Sequence, residues 1–252
     1  MSLAEFGEPE TIVITRADDR VVVRLNRPQV RNAISRQMVD ELHRVCAELE
    51  VAPRILIITG TDGVFASGAD IAELRERTSA DALAGINTML LLRIAELPMP
   101  VIAAIDGHAL GAGAELAYAA DFRIGTPRTT FGNPETGLGI IAAAGALWRL
   151  PQLVGEPLAK EVLLAGRILS ADDALAARLL ARVVEPGELL GAAHELADRI
   201  AAKSVAATIQ TKALLRADRA RHPQADLDAQ AALFDSDDKR RRMTAFLERK
   251  KR

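Results

Sequence analysis

Short runs of β-branched and aliphatic residues recur along most of the chain, and several are followed by glycine or aspartate and then by a helical pattern. They lie at residues 11–15, 21–25, 55–59, 101–105, 122–125 and 183–184. Runs of this length predict strands, and their alternation with helical segments is typical of an α/β fold.

Helices are predicted between these strands. Ser35 is a good N-cap, and an apolar stripe follows it: Met38, Leu42, Val45 and Leu49. A second helix is predicted over residues 81–97, ended by Pro98, with the stripe Leu83, Ile86, Leu90 and Ile94. Ser170 and Asp173 resemble a capping box and predict a further helix start.

The last part of the chain is predicted to be helical, because no run typical of a strand follows residue 186. Three helices are predicted in it, over residues 188–202, 204–216 and 225–250. No repeat of constant period and no low-complexity linker is present. We therefore expect one α/β core at residues 1–195 and a helical C-terminal segment at residues 196–252.

The charge balance narrows the possible partners. The 32 basic and 34 acidic residues nearly cancel, which argues against a nucleic-acid or anionic-membrane surface. The sequence has no apolar run near its start and none long enough to span a bilayer. The single cysteine, Cys46, cannot form an intrachain disulfide, so we expect a reducing compartment and a cytoplasmic protein.

The stretch PVIAAIDGHALGAGAELAYAAD, residues 100–121, is the most informative one. A predicted strand leads into a glycine-rich turn and then into a helix of small residues. Gly107, Gly111 and Gly113 allow the backbone to approach a ligand closely, and the helix start presents N–H groups to developing negative charge. Leu116 breaks the dinucleotide-binding fingerprint, and tight packing alone is the alternative explanation of the glycines.

Two glutamates are candidate acid–base groups. Glu115 lies among alanines, and burial there raises a carboxyl pKa toward the range useful for proton transfer. The alternative is a first-turn glutamate that the helix dipole favours. Glu135 follows a proline in the loop FGNPETGLGII, residues 131–141, and two carboxylates can divide acid and base work. A solvated loop residue is the alternative for Glu135.

The remaining candidates are weaker. In FASGADIAEL, residues 65–74, backbone N–H groups could face a ligand, and Asp70 is more typical of a helix cap than of a site residue. The histidines lack the spacing of metal ligands, so no metal site is predicted; they are His43, His108, His194 and His222. The basic run at residues 239–242 is typical of a solvated helix face.

Together these stretches resemble the crotonase, or enoyl-CoA hydratase/isomerase, superfamily, and enoyl-CoA hydratases in particular. The segments that carry the likeness are LNRPQVRNAI at residues 25–34, ITG at 58–60, FASGADI at 65–71, PVIAAIDGHALGAGAEL at 100–116, FGNPETGLGI at 131–140, RLPQLVG at 149–155, LLAGRILSADDAL at 163–175 and MTAFLERKK at 243–251. Their order and spacing make chance similarity implausible.

The resemblance implies a spiral core of ββα units, a helical C-terminal domain used in trimer contacts, and a homotrimer or a hexamer of two trimers. It implies an oxyanion hole formed by the backbone N–H groups of Ala69 and Ala112. Glu115 and Glu135 match the carboxylates that hold and activate the attacking water, and Glu135 supplies the proton to C2. No cofactor is implied beyond the coenzyme A of the substrate.

The resemblance also implies a set of CoA-binding residues: Ala69, Asp70, Ile71, Ala72, Phe246, Arg249 and Lys250. Two positions depart from the hydratase pattern. Ala112 replaces a glycine, and residues 142–146 read AAAGA where hydratases favour Pro-Gly-Ala-Gly-Gly. We expect a negative φ at Ala112, with Gly111 and Gly113 absorbing the unusual dihedral angles.

The favoured function is therefore hydration of a 2-enoyl-CoA thioester to a 3-hydroxyacyl-CoA. Two alternatives remain open. The altered loops suit a Δ3,Δ2-enoyl-CoA isomerase, which needs no bound water and often keeps only the carboxylate at the position of Glu135. A non-catalytic acyl-CoA binding protein with the same fold is the other alternative. The presence of both Glu115 and Glu135 counts against each of them.

Overall fold

The computed structural model of the chain describes residues 8–249, which contain nine strands in two sheets. The strands are β1 Ile12–Arg16, β2 Arg20–Leu25, β3 Ile55–Thr59, β4 Val64–Ala66, β5 Val101–Ile105, β6 His108–Leu110, β7 Phe122–Gly125, β8 Thr130–Gly132 and β9 Arg182–Val183. The larger sheet has the order β1-β2-β3-β5-β7-β9, and the smaller sheet has the order β4-β6-β8.

From β3 onward, successive strands alternate between the two sheets. The strands β3, β5 and β7 lie in the larger sheet, and the strand after each of them lies in the smaller one. Apart from the antiparallel pair β1 and β2, neighbouring strands in both sheets are parallel. The chain therefore winds as a spiral of ββα units, which confirms the predicted fold class.

Twelve α-helices follow or separate these strands within the described residues. They are α1 Arg36–Val51, α2 Ile71–Glu76, α3 Ser79–Ala84, α4 Ile86–Glu96, α5 Ala112–Ala119, α6 Ala146–Val154, α7 Glu156–Ala165, α8 Ala171–Ala176, α9 Leu189–Ala201, α10 Val205–Leu215, α11 Gln224–Phe234 and α12 Asp237–Arg249. Ser35 caps α1, and Ser170 with Asp173 forms the capping box of α8, so both predicted caps are confirmed.

The prediction of a single helix over residues 81–97 was wrong. Gly85 adopts a left-handed conformation with φ of 64° and divides the segment into α3 and α4. Glycine takes this conformation without the steric penalty of a Cβ atom, so the chain can reverse its course there. Leu83, which the single stripe would have buried, is exposed.

The larger sheet and α1 supply much of the core. Every residue of β3 and β5 is buried, and so is the predicted apolar stripe of α1. Cys46 lies within this core, and its burial raises the pKa of the thiol to about 12. Each fully buried aliphatic side chain contributes about 1.5–3 kcal/mol to the free energy of unfolding, so this core strongly stabilises the larger sheet.

The chain divides into two structural units, one ending at Glu195 and the other beginning at Leu196. The second unit contains the end of α9 together with α10, α11 and α12. Several of its large apolar side chains are exposed, namely Leu215, Leu227, Phe234, Phe246 and Leu247. Over residues 8–249, no helix is both long and apolar enough to cross a membrane.

Candidate active site

Three segments, each following a strand of the smaller sheet, line one cavity. Its strands β4, β6 and β8 are parallel neighbours, so their carboxyl ends lie at the same edge. The segments that leave this edge contain Ala69, Ala112 and Glu135, and the first turn of α5, which begins at Ala112, also carries Glu115. All four residues line one cavity of about 570 Å³. The structure thus brings the predicted catalytic and oxyanion-hole residues together.

The N–H group of Ala69 is directed by its neighbours. Ile34 donates a hydrogen bond from its N–H to Gly68 O at 2.8 Å and accepts one from Asp70 N–H at 3.0 Å. A trans peptide places its N–H opposite its C=O, so the Ala69 N–H points away from Ile34. No described residue accepts a hydrogen bond from this N–H, which is therefore available to a ligand in the cavity.

The N–H group of Ala112 is directed by the start of α5. Gly111 has φ of 51° and accepts a hydrogen bond at its carbonyl from Glu115 N–H at 3.0 Å. The Ala112 N–H points the opposite way, out of the helix start, and has no acceptor among the described residues. Ala112 lacks a positive φ, as expected.

Gly113 does not absorb an unusual dihedral angle, so that part of the expectation was wrong. Of the two glycines that flank Ala112, only Gly111 has a positive φ. Gly113 is instead required by packing, since a Cβ atom there would lie 2.3 Å from the carbonyl oxygen of Ala66. The unusual backbone angles at this turn are therefore confined to Gly111.

Glu115 is sequestered, as predicted, with 2% of its surface exposed. Its Oε1 accepts hydrogen bonds from the N–H groups of Ala144 at 2.8 Å and Ala146 at 3.0 Å. Burial raises the pKa of Glu115 to about 7, and the nearby Glu135 adds to the rise. The two N–H groups and Arg149 oppose this rise in pKa but do not cancel it.

The unusual loop 142–146 supplies those two N–H groups. Alanine donates a backbone hydrogen bond as well as glycine does, so the departure from the hydratase pattern leaves both donors in place. Arg149 donates to Ala144 O at 3.4 Å and to Leu91 O at 3.4 Å. Thr88 donates from its hydroxyl to Ala143 O at 3.2 Å. The loop is thus held against α4 and α6.

Glu135 begins a short 3-10 helix, Glu135–Leu138, and is largely buried. Its Oε1 accepts a long hydrogen bond of 3.5 Å from Asn133 Nδ2, and Asn133 Oδ1 accepts one of 3.2 Å from the Tyr118 hydroxyl. Its Oε2 is buried and has no hydrogen-bond partner among the described residues. Burial raises the pKa of Glu135.

The residues predicted to bind CoA belong to both structural units. Ile71 lines the cavity and is exposed, and Asp70 caps α2 through Ala72 N–H at 3.1 Å, so the cap role is confirmed. Phe246 and Arg249 belong to α12 in the second unit. Lys250 lies outside the described residues. The CoA contacts of these residues stay predictions.

Sequence reasoning missed the residues that hold the two carboxylates. Asn133 and Tyr118 fix Glu135, and the backbone of Ala144 and Ala146 fixes Glu115. The proximity of Asn133 to Glu135 in the sequence was the only available signal. His108 is exposed and does not line the cavity; its Nδ1 lies 2.8 Å from the Thr130 hydroxyl.

Comparison with known proteins agrees with this geometry. The sequence model of the enoyl-CoA hydratase/isomerase family matches residues 18–252. The crotonyl-CoA hydratase of Syntrophomonas wolfei subsp. wolfei is 36% identical over 251 residues and 96% of each chain. The short-chain-enoyl-CoA hydratase of Clostridium acetobutylicum is 34% identical over 97% of each chain.

A solved structure extends the likeness to the fold. The crystal structure of an enoyl-CoA hydratase from Bacillus anthracis superimposes with a TM-score of 0.89 at 32% sequence identity. The match covers 95% of the present chain and 97% of that one. With sequence and fold in agreement over nearly the whole length, the chain belongs to the enoyl-CoA hydratase/isomerase family.

Proposed function

We propose that the protein is an enoyl-CoA hydratase that adds water across the double bond of a 2-enoyl-CoA thioester. The observation that carries the proposal is the cavity in which two buried carboxylates, Glu115 and Glu135, accompany two backbone N–H groups that have no acceptor within residues 8–249. The similar proteins named crotonyl-CoA hydratase and short-chain-enoyl-CoA hydratase support the same reaction.

The two N–H groups form the electrophilic half of the mechanism. The thioester oxygen accepts hydrogen bonds from Ala69 and Ala112, which draws electron density from C3 and stabilises the enolate-like charge after attack. In such sites, one donor typically contributes about 10²- to 10³-fold to the rate. Neither N–H group has an acceptor among the described residues, which supports this role.

The two carboxylates form the acid–base half. In the reactive form the pair carries one proton, which Glu135 gives to C2 while the water oxygen bonds to C3 and releases a proton to Glu115. Oε1 of Glu115 is occupied by backbone donors, so its second oxygen receives the water proton. The unpartnered Oε2 of Glu135 is the atom assigned to C2. Return of the proton to Glu135 restores the pair.

The cavity wall beyond the carboxylates is largely apolar, with Leu74, Ile86, Leu138, Ile140 and Ile141 among its side chains. An apolar wall suits an unsubstituted alkyl chain. We accordingly propose a role in fatty-acid β-oxidation. We also propose that the enzyme is cytoplasmic, as expected from its single cysteine. Subcellular fractionation and acyl-CoA profiling of a deletion strain test these two assignments.

The test of function uses crotonyl-CoA in water labelled with oxygen-18. We expect loss of the conjugated thioester absorbance and one labelled oxygen in the 3-hydroxy product. A 3-enoyl-CoA is supplied in parallel. Its conversion to the 2-enoyl isomer without any hydration would favour the isomerase, and tight binding without either reaction would favour the non-catalytic alternative.

The same proposal includes assembly as a homotrimer or a hexamer of two trimers. The exposed apolar side chains of the second unit support it, because a separate helical unit seldom leaves so many without a partner surface; examples are Leu227, Phe234 and Phe246. Light scattering at micromolar concentration should give a trimeric or hexameric mass. A monomeric mass would contradict the assembly.

A further inference from the structure

The oxyanion loop, which we define as residues 67–70, lacks a long element of its own to fix it. The strand β4 ends at Ala66, and α2 starts only at Ile71. The backbone of the loop is hydrogen bonded instead to residues 31–34, through Ser67 N–H to Arg31 O at 3.1 Å and through the two bonds to Ile34. The direction of the Ala69 N–H therefore depends on residues 31–34.

Asn32 fixes residues 31–34 to β4. It is completely buried and adopts a left-handed conformation with φ of 55°. Its Oδ1 accepts hydrogen bonds from Arg27 N–H at 2.9 Å and from the Thr61 hydroxyl at 3.1 Å. Its Nδ2 donates to the carbonyls of Val64 at 2.8 Å and Phe65 at 3.3 Å. All the hydrogen-bonding capacity of the amide is used.

Arg27 links residues 31–34 to the oxyanion loop. Its Nη1 donates to Ala33 O at 2.7 Å and to Asp70 Oδ2 at 3.0 Å. The paired side chains are 19% and 16% exposed, so the ion pair is largely shielded from water. The other oxygen of Asp70 caps α2 through Ala72 N–H. One nitrogen of Arg27 therefore connects residue 33 to the end of the oxyanion loop.

We propose that Arg27 and Asn32 are positioning residues of the oxyanion hole. Neither lines the cavity, and both act through the backbone of residues 67–70 to hold the Ala69 N–H toward the thioester oxygen. A donor stabilises developing charge fully only when its direction is fixed before the reaction, and a misplacement of about 1 Å can reduce a rate about 10²-fold. The inference rests on the proposed hydratase function.

The main test is Arg27→Met, which keeps the apolar stem and removes the donor. We expect kcat for crotonyl-CoA to fall by about 10- to 100-fold while KM changes by less than about threefold. Arg27→Lys should retain most of the activity, because a single nitrogen makes both contacts and a lysine ammonium can donate to both acceptors.

A spectroscopic readout separates positioning from general stability. An aromatic 2-enoyl-CoA absorbs at longer wavelength when its carbonyl oxygen accepts strong hydrogen bonds. Bound to the wild-type protein it should show a red shift, and this shift should be smaller in folded Arg27→Met and nearly restored in Arg27→Lys. A residue that serves only stability would leave the shift of the folded protein unchanged.

Arg93→Met is the matched control. Arg93 also joins a carboxylate, Glu50, to a backbone carbonyl, His43 O at 3.0 Å, but it does not contact the oxyanion loop. This variant should keep wild-type kcat and red shift even if its melting temperature falls. An equal loss of kcat and red shift in Arg93→Met would overturn the proposal.

The proposal is also overturned if folded Arg27→Met keeps kcat within about twofold and the full red shift. If Arg27→Met does not fold, Asp70→Asn takes its place, because asparagine still caps α2 but loses the charge that pairs with Arg27. Unchanged kcat and red shift in Asp70→Asn would contradict the proposal. A wild-type protein that shows the red shift but no hydration would contradict the proposed function instead.

Discussion

The two candidate catalytic glutamates are buried in the same cavity but held in different ways. Glu115 lies on α5, and two backbone N–H groups of the loop 142–146 fix its Oε1. Glu135 begins a short 3-10 helix, and among the side chains that the structure describes only Asn133 donates a hydrogen bond to it, at 3.5 Å. The main chain therefore directs one carboxylate, and side chains direct the other.

This difference between the two carboxylates suggests a separate role in the reaction for each. A carboxylate fixed by main-chain donors keeps its direction whatever the neighbouring side chains are, which suits a group that orients water. A carboxylate with one buried oxygen that has no partner among the described residues keeps acceptor or donor capacity for a substrate, which suits the group that exchanges a proton with carbon. The predictions that follow test this division.

The largest effect is expected from loss of either carboxylate. Glu115→Gln and Glu135→Gln should each lower kcat for hydration by about 10²- to 10⁴-fold, because each removes a group that accepts or donates a proton in the reaction. Binding of a saturated acyl-CoA should change little. Steady-state kinetics and calorimetry measure the two quantities. Wild-type turnover in both variants would contradict the acid–base pair.

A gain in stability should accompany the loss of activity in Glu115→Gln. The carboxyl has a pKa of about 7 in the folded state against an ordinary 4.5, so the folded protein holds a proton that the unfolded chain releases. The contribution of this proton to the free energy of unfolding is therefore full below pH 4.5, falls as pH rises, and is gone once pH exceeds about 7. Glutamine avoids this loss, which amounts to about 3 kcal/mol at pH 8.

The melting temperature measures this gain. Glu115→Gln should melt at a higher temperature than wild type at pH 8, and the gap should narrow toward pH 5. Glutamine Oε1 can still accept from Ala144 and Ala146, so no hydrogen bond is lost. A variant less stable than wild type at pH 8 would show that the buried charge is better compensated than its surroundings suggest.

A smaller effect is expected at Asn133, the side chain that holds Glu135. Asn133→Leu should lower kcat by about 10-fold, because the carboxyl loses its hydrogen bond and its fixed direction. Tyr118→Phe removes only the hydroxyl behind Asn133 and should lower kcat less. If both variants leave the pKa of Glu115 unchanged, the fall in kcat can be assigned to Glu135. Full activity of Asn133→Leu would mean that burial alone directs Glu135.

The smallest effect is expected at Arg149. Its positive charge lowers the pKa of Glu115, so Arg149→Met should raise that pKa by less than about one pH unit. The pH at which the carboxylate pair loses its one proton should rise by the same amount, and the upper limb of the pH profile of kcat/KM should move with it. Arg149→Lys keeps the charge and serves as the control. An upper limb that moves down would contradict the sign of this interaction.

The sequence predicted the larger sheet well and missed the smaller one. Runs such as β3 and β5 have five residues each and are apolar apart from Thr59, whereas β4, β6 and β8 have three residues each and carry no alternation that could signal a strand. The site residues were found through the family resemblance. Proximity in the sequence pointed to Asn133 alone. No pattern could reveal that Asn32 and Arg149 hold backbone beside the site, because those contacts arise from tertiary packing.

The role of the carboxylate pair is tested most directly by the pH profile of kcat/KM for crotonyl-CoA in wild type and Glu115→Gln. The reactive pair holds one proton, which rests on Glu115 and passes to Glu135 before C2 is protonated, so wild-type kcat/KM should fall as pH rises through about 7, where the pair loses that proton. In Glu115→Gln the remaining activity should no longer fall near pH 7. An unchanged fall near pH 7 in Glu115→Gln would contradict the assignment of that proton to the Glu115 and Glu135 pair.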